Sequence, residues 1–279
     1  MNSTDEKSQS GLMTFGGHLE VLRKMLFRIL FVVGALAVVV FCFKEETFSI
    51  LLAPRHCDFV TFRWIESLLN GMGGQFHFDE YNIPLINTEL SAQFMTHVST
   101  SFYLGLLLAS PYIVFELFRF ISPALYESEK KYSYLVTAVI YVMFILGLLM
   151  SYFVLFPISF RFLATYQVDA SIANTITLDS YITTFTTLSF VMGIVFQLPL
   201  FAYILGKMGF IDAPLLRKYR KYAFVIIMIL AAIITPPDLF TLILVTFPLY
   251  GLYELSIVVL KRQEHHNDVT KTTDGDMTK

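Results

Sequence analysis

Two stretches of this chain carry no Asp, Glu, Lys or Arg for longer than a soluble fold requires. Tyr134 to Ile158 runs 25 residues and Tyr181 to Gly206 runs 26. A hydrocarbon layer about 30 Å thick needs about 20 apolar residues in a helix rising 1.5 Å per residue. Helices of that length and polarity are the answer a bilayer imposes, because every backbone polar group must be bonded inside its own segment. Composition agrees: 56% of the 279 residues are hydrophobic and 15% charged, with a mean hydropathy of +0.64. An ordinary soluble domain carries about a quarter charged residues.

The same reading along the chain gives an all-α, polytopic membrane protein of six spans. They are expected at 25–43, 94–118, 134–156 (closed by Pro157), 179–205, 222–235 (ended by Pro236-Pro237) and 239–260. Residues 1–12 form a polar N-terminal tail, 13–261 a single membrane domain, and 262–279 a disordered cytoplasmic tail that is almost free of apolar residues. The first apolar stretch follows a long polar start and ends in FCFKEE, so it is expected to be retained rather than cleaved. In the loop after it, FVTFRWIESLL suggests a short amphipathic surface helix. The fifth span has about 14 residues between Tyr222 and Pro236, roughly 21 Å of helix, and is too short to cross a bilayer of ordinary thickness upright.

Orientation comes from where the basic residues fall. Sixteen of the 20 Lys and Arg lie in the N-terminal segment, the second and fourth connections and the C-terminal segment; Lys44, Arg55, Arg63 and Arg161 lie on the other side. Both termini are therefore expected in the cytoplasm. Two cysteines, Cys42 and Cys57, form no disulfide framework. The six histidines are scattered, and no metal cluster, phosphate-cradling glycine loop or nucleophile–base pair stands out. No catalytic residue, metal or cofactor is expected.

The informative residues are carboxylates beside the cytoplasmic face. Before the first span, FGGHLEVLRKML puts Phe15, Leu19, Leu22 and Leu26 at helical spacing, with Glu20 four residues before Lys24. Between the second and third spans, FISPALYESEKKY holds a helix-breaking Ser122-Pro123 step and Glu127 and Glu129 ahead of Lys130 and Lys131. Taken singly, each is an ordinary solvated ion-pair motif. Taken together with Leu52-Ala53-Pro54 and ITPPDLF at 234–240, they resemble the TatC family, the receptor core of the twin-arginine protein translocase. Its signatures are a His-Leu-x-Glu-Leu-Arg segment and a Phe-x-x-Pro-x-Leu-Tyr-x-x-Glu-Lys/Arg loop, and the resemblance runs from about Thr14 to Lys261.

That resemblance implies Sec-independent transport of folded proteins across a bacterial cytoplasmic membrane, with proton-motive force as the energy source. It implies partners as well: twin-arginine signal peptides, TatA/TatB-type single-span proteins and further copies of the chain. It assigns signal-peptide binding to Glu20 and Glu129, with His18 and Arg23 alongside and Phe120, Pro123, Leu125 and Tyr126 shaping the loop. Arginine's planar fork suits a carboxylate in a way lysine cannot match. Many relatives carry a glutamate in the middle of the fourth span; this chain has Gln197 there, beside hydroxyls at Thr183, Thr184, Thr186, Thr187 and Ser189 that either face a hydrated surface or bond back to their own helix. Glu254 is expected to turn toward protein or interfacial water, Asp238 to cap the sixth span, Pro54 to mark the motif after the first span, and Glu116 with Arg119 to form an interfacial pair. A small-solute secondary transporter is the alternative, but it needs paired charges or broken helices at mid-membrane.

Overall fold

The long apolar runs fold as helices throughout the computed structural model, which describes residues 15–73, 83–121, 133–169, 171–172 and 174–276. The first helix, α1 (Phe15–Cys42), is followed by α2 (Lys44–Leu52), a 3-10 turn at Ala53–Arg55 and α3 (Val60–Gly71). Then come β1 (Leu85–Ile86), α4 (Ala92–Ile121), α5 (Ser133–Met150), a π-helical turn at Ser151–Leu155 and α6 (Phe156–Thr165). β2 (Ile176–Thr177) leads into α7 (Leu178–Val195), α8 (Leu198–Lys207), α9 (Ala213–Lys218), α10 (Arg220–Ile234) and α11 (Leu239–Asp276). The expected polar tail at 1–12 lies outside the described residues.

Among the described residues, five stretches are long and apolar enough to cross a membrane: Leu19–Cys42, Ala92–Glu116, Ala138–Thr165, Leu178–Lys207 and Leu239–Glu264. The fifth expected span is α10, whose 15 residues give roughly 22 Å of helix against a core of about 30 Å. The chain packs as two compact units, one of residues 1–44 and 98–141 and the other of 45–97 and 142–279.

In the first unit α1 and α4 approach closely at small residues. A Cβ built on Gly105 would lie 2.7 Å from the Ala37 nitrogen and 2.9 Å from the Ala37 Cβ. Small residues are what lets helix backbones approach where lipid supplies no hydrophobic drive between helices.

In the second unit the same device sits between α5 and α7, where a Cβ on Gly147 would stand 2.5 Å from the Met192 carbonyl oxygen. An aromatic cluster fills the space beyond. Phe156 meets Tyr181 at 4.9 Å and Phe185 at 5.0 Å, both edge-on, and Phe160 meets Tyr181 at 4.9 Å. Edge-to-face pairs of this kind add about 0.5–1.5 kcal/mol each beyond their burial.

Three expectations are corrected. Pro157 does not close the third span: helix continues to Thr165. A proline removes the bond to the carbonyl four residues back, here Phe153. The widened π turn accommodates the ring, and the Thr61 hydroxyl of α3 donates to the Phe153 carbonyl instead. The fourth span is not one helix but two, broken at 196–197 ahead of Pro199. There the Leu200 amide donates to the Gln197 carbonyl at 3.0 Å, tightening the turn. Third, helix runs on from Leu260 to Asp276 where the polar composition led to a disordered tail. Its first extra turn is anchored, because the Ala213 amide donates to the Glu264 carboxylate at 2.7 Å.

FVTFRWIESLL does form the expected short helix, α3, with Trp64 79% exposed. The all-α reading omitted one small sheet: β1 and β2 pair in parallel, Leu85 opposite Ile176 and Ile86 opposite Thr177. Both cysteines are free thiols.

Candidate functional site

The start of α1 is helical because Phe15, Leu19, Leu22 and Leu26 recur on one face, leaving the polar residues on the other. Glu20 stands there with its side chain 56% exposed, 2.8 Å from the Lys24 ammonium one turn on. Arg23, Lys24, Phe27 and Arg28 line a shallow hollow beside it. The surroundings are thus strongly basic, and a cation arriving at Glu20 must outbid Lys24 for the carboxylate. A guanidinium does so by geometry, since it offers two parallel N–H donors to the two oxygens.

Aligned on His18, Leu19, Leu22 and Arg23, the segment departs from the His-Leu-x-Glu-Leu-Arg pattern. Glu20 occupies the variable place and Val21 the place of the glutamate. One residue is about 100° around a helix, so the carboxylate of this chain projects from a different direction. His18 and Phe120 lie on helical backbone in α1 and α4. Pro123, Leu125, Tyr126 and Glu129 lie outside the described residues.

The structure gives Glu116 a partner that local sequence reading missed. Glu116, near the C-terminal end of α4, is 3% exposed. Its Oε1 accepts from the Tyr112 hydroxyl at 3.0 Å and lies 3.4 Å from the Arg28 guanidinium of α1 and 3.9 Å from that of Arg119. The expected Glu116–Arg119 pair exists, but Arg28 is the nearer cation. A buried carboxylate demands compensation, and that demand was the available signal. The partner, 88 positions away in sequence, was not.

Glu254 behaves similarly. It was expected to face protein or water, and it pairs with Arg220 at 2.6 Å while the Tyr250 hydroxyl donates to it at 3.0 Å. The pair ties the start of the short α10 to α11. Asp238 caps α11: its Oδ1 accepts from the Thr241 amide at 2.6 Å, the N-terminal arrangement a carboxylate prefers.

Gln197 is buried at the break between α7 and α8, and its amide donates back to the Gly193 carbonyl at 3.4 Å. The neighbouring hydroxyls divide. Thr184 donates to the Ser180 carbonyl and Thr186 to the Ile182 carbonyl, both at 2.8 Å, which is the bond back to their own helix. Ser189 instead meets Ser151 across the α7 interface at 3.1 Å. Pro54 is buried in the 3-10 turn. Its ring leaves the Ile50 carbonyl without an amide partner, and the Tyr152 hydroxyl donates there at 2.8 Å. The Tyr181 hydroxyl donates to the adjacent Leu51 carbonyl at 3.0 Å.

Among the described residues, no three His, Cys, Asp or Glu side chains gather as a metal would require. Glu116 and Glu254 are each held by arginine guanidinium groups, whereas Glu20 is held by a lysine.

Comparison with known proteins gives a consistent match. Residues 17–248 match the family model described as "TatC: Sec-independent protein translocase protein (TatC)". The chain is 36% identical over 257 residues to the Sec-independent protein translocase protein TatC of Blattabacterium sp. subsp. Periplaneta americana, covering 91% of this chain and 97% of that one. It is 34% identical to the protein of the same name from Desulforapulum autotrophicum, over 92% of this chain and 86% of that one. A crystal structure described as the twin arginine translocase receptor TatC superposes with a TM-score of 0.69 at 30% identity, over 88% of this chain and 98% of that one.

Proposed function

This chain belongs to the TatC family, and from that membership we propose how its residues receive a signal peptide. It is a Sec-independent protein translocase component, the receptor of the twin-arginine translocase. Glu20 and Glu129 each take one of the two arginines, and the apolar part of the signal lies along the neighbouring helices. The observation that carries this reading is Glu20 itself: an exposed carboxylate held by one exposed lysine. That interaction is weak and exchangeable at a surface, and a bidentate arginine replaces it.

In the fuller arrangement α10 crosses as a short fifth span, making six in all, both termini lie in the cytoplasm, and the basic residues are retained there. Folded cargo, TatA/TatB-type single-span partners, proton-motive force and self-association complete the reading, and it assigns the chain no catalysis. With Gln197 in the fourth span, this chain keeps hydrogen bonding at that depth without a titratable group.

The test is binding of a fluorescent signal peptide to the purified chain in nanodiscs. The twin-arginine peptide should bind roughly tenfold or more tightly than its twin-lysine counterpart, because lysine keeps the charge and loses the fork. Equal affinities would remove the carboxylate–guanidinium basis of the site.

A further inference from the structure

We propose that α3 is an interfacial anchor, lying along the boundary between the lipid headgroups and acyl chains with Val60, Trp64, Leu68 and Met72 turned into the lipid. The inference concerns a surface outside the proposed peptide site and does not depend on the receptor reading.

The four residues recur every fourth position through α3 and its C-terminal cap. Side chains four apart stand one above another on a helix, so they form a stripe along one side. They are 45%, 79%, 68% and 81% exposed in chain order. The exposed residues Arg63, Ser67 and Asn70 make a polar flank beside it. A surface helix ordinarily turns its apolar residues to the core and its polar ones outward. α3 does bury an apolar face, but a different one, at Phe59 and Phe62. The stripe is a second apolar face.

The buried face fixes the depth. Phe59 stacks on Phe153 at 5.8 Å and meets Tyr152 edge-on at 5.4 Å, and the Thr61 hydroxyl donates to the Phe153 carbonyl. Phe153 belongs to the charge-free run that ends at Ile158, and Arg161 is the first charge beyond that run. The Arg161 guanidinium stands over the Phe62 ring, 5.1 Å from its centre. The first turn of α3 is therefore held between the last apolar turns of a membrane span and that span's first cation. A cation on a spanning helix keeps its charge in the headgroup layer, so this is the level at which hydrocarbon gives way to headgroups.

The occupant follows from what the stripe continues. Leu146, Leu149 and Phe153 are exposed along the span, which is the surface a spanning helix turns to lipid. Val60 lies between Phe59 and Thr61, the two residues that touch Phe153, so lipid that wets the span meets the stripe next. Contiguous exposed apolar surface marks a membrane or a protein contact, and the depth decides for the membrane. A helix with one apolar side that carries tryptophan, and a polar flank, suits that layer.

The experiment reads Trp64 in the full, unaltered chain, which has no other tryptophan. The chain is reconstituted in phosphatidylcholine vesicles whose acyl chains are brominated either near the glycerol end or near the methyl end, with iodide then added on both sides. Trp64 should emit at shorter wavelength than in denaturant, be quenched most by the shallow bromines and be reached weakly by iodide. Leu68→Asp with Met72→Asp removes two of the four anchoring side chains. It should cut the shallow quenching by roughly half, since anchoring scales with buried apolar area, and raise quenching by iodide.

Strong iodide quenching of the wild-type chain without a bromolipid effect puts α3 in water and overturns the proposal. Shielding from both quenchers puts a protein over the stripe and overturns it too, as does quenching greatest at the methyl end. Unchanged quenching in a folded double variant overturns the role of the stripe. If that variant does not fold, the wild-type depth profile decides alone.

Discussion

Replacing Gly147 by leucine should remove a large share of the fold's stability and lower the unfolding temperature sharply. Gly147 is buried in α5, and any Cβ there would meet the backbone of α7: the Met192 carbonyl oxygen at 2.5 Å, its carbon at 2.8 Å and the Gly193 Cα at 2.9 Å. Backbone cannot rotate out of the way as a side chain can. Met192 is itself fully buried, and Phe144 packs where a Gly193 Cβ would stand, at 2.6 Å. The helices must therefore separate, losing contacts along the whole α5–α7 seam. Overpacking a tight core costs about 1–3 kcal/mol when side chains can adjust. With backbone on the other side, we expect the upper end of that range or more, a large share of a net stability of about 5–15 kcal/mol. Thermal unfolding in detergent, with the monodisperse fraction by size exclusion, measures it. Gly34→Leu is the contrast, since a Cβ there meets nothing within 4 Å; it should retain near wild-type stability.

The second large effect is on binding. Reversing both proposed recognition carboxylates, Glu20→Arg with Glu129→Arg, should weaken a twin-arginine peptide by roughly a hundredfold or more, since attraction is exchanged for repulsion at both positions. The segment around Glu20 is already basic, with Arg23 and Lys24 about one turn away, so the reversal leaves no carboxylate there to hold a guanidinium. Folding should be little affected at Glu20, where the single ion pair is exposed. Glu20→Gln alone should give a smaller loss. Val21→Glu tests the register: it restores the glutamate where the family pattern has it, and tighter binding there would mean that direction is the better one for the peptide.

Much of the architecture was legible because membrane spans announce themselves by length and polarity. The apolar runs around Leu146 and Phe190 had one physical use, and the shortness of α10, 15 residues in the structure, was legible in the interval from Tyr222 to Pro236. What failed to show were partners far away in sequence. Pro157 reads as a terminator by local rules, and it is Thr61, 92 residues earlier, that supplies the donor Phe153 lacks. Pro54 is the same case: the hydroxyl that serves Ile50 belongs to Tyr152, 102 residues on. Glu116 read as half of an i,i+3 pair because Arg119 was near in sequence and Arg28 was not. Glu254 read only as turned toward protein or interfacial water, because Arg220 stands 34 residues before it.

The tail was misjudged differently. Low hydrophobicity argues against a packed core, but it does not forbid a helix that continues one already formed. Propagation is far easier than nucleation, and Glu264 ties the first continuing turn to α9. The site was legible as a pattern and less so as a geometry. His18, Leu19, Leu22 and Arg23 gave the motif, while the glutamate one position out of register is a difference of direction that only a helix makes visible.

We expect the arginines of a signal peptide to sit at the start of α1 and at the segment after α4. A peptide carrying a photoreactive residue beside its twin arginines, irradiated with the chain in membranes and mapped by mass spectrometry, tests it most directly. Recognition by Glu20 and Glu129 predicts adducts within about a turn of Glu20 and within residues 122–132, lost when both arginines become lysine. Adducts on the α7–α8 break around Gln197, or a yield that does not distinguish arginine from lysine, would contradict it.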